Sequence, residues 1–224
     1  AETNATVSDT IKGEDKTKIE AVKNKANVDG VAAAIRDDKK AAIAKAAGVT
    51  DEQLAGKNVI ETEITVKVEA KAADLAKGQL TFEASPVATV KVNGAATGRT
   101  VPVTNDMLNG QPITVKLPLP TVGGKLFTPE QIKHISSDGS VEYFLRTAKR
   151  GAKTFEIKED CAVFKITKFS TFELSGTVTY VEPSYSSGSS YDPTYSVTVD
   201  KTKNGTVTVS PKSASKGDTV TVTV

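Results

Sequence analysis

Tryptophan is absent from this 224-residue chain, aromatic residues make up only 5% of it, and it holds one cysteine, one histidine and one methionine. Each scarcity excludes something. With so few rings, a core must rest on Val, Ile, Leu and Ala with a few Phe. A carbohydrate platform built on tryptophan is ruled out. A lone cysteine, Cys161, excludes an intrachain disulfide, which suits a reducing compartment and equally an extracellular protein that does without such bonds. No stretch approaches the roughly 20 apolar residues of a membrane helix, and the first residues carry neither a basic n-region nor an apolar h-region. Charged residues are 25% of the chain, yet their signs nearly cancel to +2. No long-range field draws nucleic acid or anionic lipid, so neither is expected as a partner.

What is present is 38% hydrophobic residues, enough for a sizeable core. The stretch 5–11 has a short β-like pattern. From about Glu14 to Ala47 the chain is rich in Ala, Lys, Glu and Asp, with Ile19, Val22 and Ala26 at helical spacing. Asn27-Val28-Asp29-Gly30 interrupts that helix, a second one carries Val31, Ala34, Ile35 and Ile43, and Gly48 suits its C-terminal cap. Thr50-Asp-Glu-Gln53 has the spacing of a capping box. The helices are expected to dock on one edge of the domain that follows.

At Val59 the period changes to two. Ile60, Thr62, Ile64, Val66 and Val68 share one face of a strand, with Glu61, Glu63, Thr65, Lys67 and Glu69 on the other. Further strands are expected at 79–84, 88–92, 99–103, 112–119, 131–136, 141–146, 154–158, 162–167, 170–174 and 177–181. Asn93-Gly94 and Asp138-Gly139 mark hairpin turns, and Glu159-Asp160-Cys161 marks another. Short strands with turns every 8 to 12 residues describe a mainly β fold, an antiparallel sandwich rather than a βαβ sheet. Lys165 to Gly176 reads as its closing strand pair.

The stretch 182–194 holds Pro, Ser, Gly and Tyr without an aliphatic residue, the composition of a linker. Beyond it, 195–224 carries three short β patterns with too few large apolar side chains for a core of its own. The chain begins without Met and stops inside a β pattern, which reads as a piece of a longer protein. The expected organisation is therefore 1–57, a strand plus helical segment docked on the sandwich; 58–181, the sandwich; 182–194, the linker; and 195–224, a truncated β repeat.

Val197 to Val224 resembles the start of the extracellular bacterial repeat found in tandem in large surface proteins of Gram-positive Firmicutes. The region from Val59 to Gly176 resembles a β-sandwich module that precedes such repeats in proteins often ending in S-layer homology domains. Leu80 to Phe82, Pro118-Leu-Pro120, His134-Ile135, Asp138-Gly139 and Phe169-Ser-Thr-Phe172 carry that likeness. It implies a secreted or cell-surface protein, with other domains of the same longer chain as partners, and it supplies no catalytic residues.

Residues that could carry chemistry are few. A thiol dyad requires His134 and Cys161 to meet; the plainer expectation is a partly exposed strand histidine and an inert turn thiol beside Glu159 and Asp160. Glu61, Glu63, Lys67 and Glu69 read as a wet strand face. Asp138-Gly-Ser140 and Thr104-Asn-Asp106 offer oxygen ligands suited to calcium, and equally a turn and a helix cap. Lysine and asparagine are plentiful enough for an isopeptide cross-link, but no motif selects a trio. Tyr180, Tyr185, Tyr191 and Tyr195 cluster around the linker and are the candidate contacts for a host protein or glycan. The expectation is thus a non-enzymatic stalk fragment without cofactor or metal, with an adhesin-type binding module as the alternative.

Overall fold

The chain is described by a computed structural model covering residues 3–183, 194–199 and 206–223. The fold is mainly β. It comprises two units, Ala1–Glu182 and Pro183–Val224.

In the first unit the order is β1 (Thr3–Val7), α1 (Gly13–Glu20), β2 (Asn27–Asp29), α2 (Val31–Ala34), α3 (Asp37–Ala46), α4 (Asp51–Ala55), β3 (Ile60–Asp74), β4 (Gln79–Val92), β5 (Ala95–Pro102) and β6 (Ile113–Pro118). There follow β7 (Thr121–Val122), β8 (Lys125–Leu126), β9 (Gln131–Ser136), β10 (Val141–Leu145), β11 (Lys153–Thr154), β12 (Glu156–Lys158), β13 (Cys161–Ile166) and β14 (Ser170–Ser175). One sheet runs β1-β3-β4-β14-β9-β10-β11, with β5 also paired to β4, and the other runs β12-β13-β6-β2. Most neighbours are antiparallel; β1 lies parallel to β3, and β11 parallel to β10.

The sheets face each other across one core. Phe164 of β13 meets Phe144 of β10 with ring centroids 4.9 Å apart and Phe172 of β14 at 5.4 Å. The scarce aromatics are concentrated there, since all seven phenylalanines are buried. Aliphatic residues fill the rest as the alternation requires: Ile64, Val66 and Val68 on β3, and Ile113, Val115 and Leu117 on β6, point inward, and Leu119 just beyond β6 is buried with them.

The amino-terminal segment is woven in more deeply than edge docking. Asn27-Val28-Asp29, expected as a helix interruption, is β2: Val28 pairs with Val115 and its side chain has no exposed surface. Its N–H donates to Thr3 Oγ1 at 3.0 Å, tying β1 to β2. The segment 1–57 thus gives a strand to each sheet, while Ile19, Val31, Ala34 and Ile43 join the same core as the sandwich. The capping box forms as spelled, with Gln53 N–H donating to Thr50 Oγ1 at 3.2 Å and Thr50 N–H to Gln53 Oε1 at 2.9 Å.

Two expected strands, 79–84 and 88–92, are one strand, β4, that runs through Pro86. Pro86 O accepts from Val103 N–H at 2.9 Å, so its nitrogen also faces the β5 side. No ladder bond to β3 is lost, and proline is tolerated. Asn93 and Gly94, at φ 51° and 80°, make the expected hairpin turn, with Val92 opposite Ala95. The β9–β10 hairpin forms with Val141 opposite Ile135. In contrast, 177–181 is not a strand. The closing strands β13 and β14 do not pair with each other; they lie in different sheets.

The second unit carries β15 (Tyr195–Ser196), β16 (Thr208–Ser210), β17 (Ser213–Ala214) and β18 (Thr221–Thr223), paired as β15-β17 and β16-β18. Ala214 is its one buried hydrophobic among the described residues.

Candidate functional site

Of the four tyrosines proposed as ligand contacts, Tyr185 and Tyr191 lie outside the described residues. Tyr195 opens β15 of the second unit and is 61% exposed. Tyr180 belongs to the first unit and is engaged there. Its ring lies 5.2 Å from that of Tyr143, and its hydroxyl donates to the backbone carbonyl of Arg150.

Beside it is a feature that no sequence pattern announces. Gln131, at the start of β9, is only 2% exposed. Its Oε1 accepts from the N–H groups of Thr179 and Tyr180 at 3.1 and 2.7 Å, and its Nε2 donates to Thr179 Oγ1 at 2.7 Å. One side chain therefore takes the backbone bonds that a neighbouring strand would otherwise supply, which is why 177–181 alternates like a strand yet joins no ladder. Only the polar residue opening β9 hinted at it.

His134 is not a partly exposed strand residue: no part of its side chain reaches solvent. The strand register sets it between Phe172 and Glu142 on the inward face. Its Nδ1 lies 3.3 Å from Glu142 Oε2, and the other oxygen of Glu142 accepts from Lys153 Nζ at 2.7 Å. Among the described residues, neither His134 Nε2 nor Ser136 Oγ, two residues on along the same face, has a hydrogen-bond partner. Burial pushes the imidazole pKa below its ordinary value, with Glu142 opposing it. The ring is a neutral core group, closed to substrate.

Cys161 is not in a turn. It is the first residue of β13 and 2% exposed, and the turn before it is Glu159-Asp160, both at positive φ. Its Sγ donates to Lys25 O at 3.7 Å, and burial pushes its pKa up. His134 stands on the first sheet and Cys161 on the second, each with its own partner, so the thiol dyad does not form.

Two of the β3 glutamates are engaged by neighbouring lysines, Glu63 by Lys91 at 2.6 Å and Glu69 by Lys71 at 3.1 Å. Asp138 is likewise occupied. Its Oδ1 accepts from Ser140 N–H and Oγ, its Oδ2 from Lys168 Nζ at 2.6 Å, and these bonds hold its carboxyl far below the usual range. Asn105 joins two connections, accepting from Phe169 N–H at 2.7 Å and donating to Phe169 O and Ser137 Oγ. No group of three or more His, Cys, Asp or Glu side chains placed to hold a metal ion occurs among the described residues.

What the fold does organise is a path through the sheet from end to end. β1 is parallel to β3, β3 antiparallel to β4, and β4 antiparallel to β14, so β1 and β14 run in the same direction. Thr3 lies level with Val66, and Ser175 pairs with Gln79, itself opposite Asp74. The start of β1 and the end of β14 therefore point toward opposite ends of the strands, and tension applied at those two points runs along the strand axis. Ladder bonds lie across that axis, so they are loaded together rather than one after another.

No family model, curated protein or solved structure matches the chain.

Proposed function

We propose that the chain is a non-enzymatic structural segment of a secreted or wall-associated bacterial surface protein, and that its first unit is built to bear tension between its two ends. The observation that carries this reading is the shared direction of β1 and β14 within one sheet. A strand held by a ladder along its length yields to shear only when many bonds fail at once, whereas peeling breaks them in turn. The Gln131 clamp supports the reading, because it fastens the chain where it leaves β14. The secreted, surface-attached setting comes from the resemblance of the repeat and sandwich segments; the mechanics come from the strand directions.

Single-molecule pulling separates this function from that of an ordinary β domain. Attachment near Thr3 and Gly176, at the start of β1 and just past the end of β14, loads β1 and β14 in shear. Attachment at Lys57 and Gly94, which stand at the same end of β3 and β4, peels those two strands apart. The end-to-end unfolding force is expected to be several-fold the higher. Equal forces in the two geometries would remove the load-bearing function.

A further inference from the structure

We propose that the recess between the α3–α4 connection and the β4–β5 hairpin binds a small organic ligand carrying an oxyanion group, a carboxylate, sulfate or phosphate ester on a sugar-sized frame. The recess is an open surface depression of about 520 Å3, with Arg99 and Asn93 exposed on its walls; its volume falls within the roughly 300–1,000 Å3 of small-molecule sites and is larger than a bare ion requires. Gly48, Gln53, Asn58, Asn93, Thr97 and Arg99 give it its chemistry, and no carboxylate lines it.

The lining is rich in donors and poor in acceptors, and its own hydrogen bonds make it so. Asn93 Oδ1 accepts from Val59 N–H at 2.9 Å, which identifies that atom as oxygen and turns Asn93 Nδ2 toward Asn58 Oδ1 at 2.9 Å. Asn58 Nδ2 is thereby directed to Gln53 O at 3.0 Å. Gln53 Oε1 is taken by the capping box. All three amide oxygens accept a hydrogen bond, while among the described residues Gln53 Nε2 and the second hydrogens of Asn58 and Asn93 meet no acceptor.

Arg99 adds the charge. Among the described residues its guanidinium makes neither an ion pair nor a hydrogen bond, leaving five N–H donors in a planar fork. Its side chain lies along Gly48, where an added Cβ would stand 3.6 Å from Arg99 Cδ. Thr97 Oγ1 also lacks a partner. A lining with one unneutralised cation, surplus amide N–H groups and spent amide oxygens is complementary to an acceptor-rich anion. It is not complementary to a cation.

The test is a nitrogen-15 NMR titration of the whole chain with glucuronate, glucose 6-phosphate, inorganic phosphate and glucose. Either acidic sugar is expected to give saturable shifts of the Gly48 and Ala96 amides and of the Arg99 Nε–Hε group, and to bind more tightly than inorganic phosphate; glucose should leave these signals in place. Arg99→Gln is expected to weaken binding by about tenfold or more, the loss of a charge-assisted fork. Gln53→Glu, which keeps an oxygen for the capping box and replaces the Nε2 donor of the lining with a carboxylate oxygen, should abolish it with Arg99 still present. Phosphate binding as tightly as the sugars, undiminished binding by either variant, or shifts spread over surface lysines would each overturn the proposal.

Discussion

His134 lies stacked on Phe172, ring centroids 4.7 Å apart and planes 16° from parallel. In the fold the imidazole serves as a neutral slab of core, and its remaining contact of note is Glu142.

Stability should therefore fall as the pH drops through the histidine range. Burial lowers the folded pKa of His134 beneath the unfolded value of about 6.5, so the unfolded chain takes up the proton first. The stability contribution is whole above about pH 6.5 and shrinks below it until the folded pKa is reached, with a slope of at most about 1.4 kcal/mol per pH unit for one proton. Of the groups facing the ring, Glu142 favours the cation and tempers this, while Lys153 and Lys168 disfavour it and add to the effect of burial. Urea unfolding between about pH 7.5 and 5 should show this slope, and His134→Phe, which keeps the stack and removes the proton site, should flatten it. Equal slopes in the two proteins would refute the assignment. The depressed carboxyl of Glu142 adds a separate loss only at more acidic pH.

Gln131→Ala should release the residues after β14. It removes three hydrogen bonds and strands the N–H groups of Thr179 and Tyr180, a cost of roughly 2–4 kcal/mol at about 1 kcal/mol per bond. Amide exchange reads it directly: Thr179 and Tyr180 lose protection while β3 and β4 keep theirs. Unchanged protection at those two amides would show that the clamp does not hold the exit.

Phe164→Ala should loosen the two sheets from each other. The ring touches Phe144 and Phe172 on the opposing sheet and is 3% exposed, so its truncation is expected to cost about 3–5 kcal/mol in urea unfolding. A loss under about 1 kcal/mol would mean that the site collapses around the missing ring.

Much of the architecture was legible residue by residue. The alternation of Ile60 to Val68 and of Ile113 to Leu119 names its own buried face, because side chains on a strand point alternately to either side. Asn93-Gly94 closes its hairpin because few other pairs accept positive φ at both residues, and in the β9–β10 turn Gly139 supplies the one positive φ while Asp138 accepts from Ser140 N–H. β9 was harder. Ile132 and Ile135 fall on opposite faces, so the pattern alone does not decide which way His134 points; pairing with Phe172 and Glu142 turns it inward. The same holds for β2, three residues long, which is a strand only because Val115 lies beside Val28. The anion recess was not legible at all, since Gln53, Asn58, Asn93 and Arg99 are polar residues of separate elements that nothing in their spacing links.

The sequence by itself determined the mainly β character, the helical insert after β1, most strand faces and the principal turns, all of which depend on neighbours within a few residues. The tertiary structure decided which strands lie side by side: that β1 enters the first sheet parallel to β3, that β2 completes the second, that β13 and β14 part company, and that 177–181 is held by one glutamine instead of a ladder. Strand order is a choice among distant partners with similar local preferences, made by shared burial of side chains far apart in the chain. The direction of β14 relative to β1, on which the load-bearing proposal rests, is a consequence of that order and is written in no single stretch of residues.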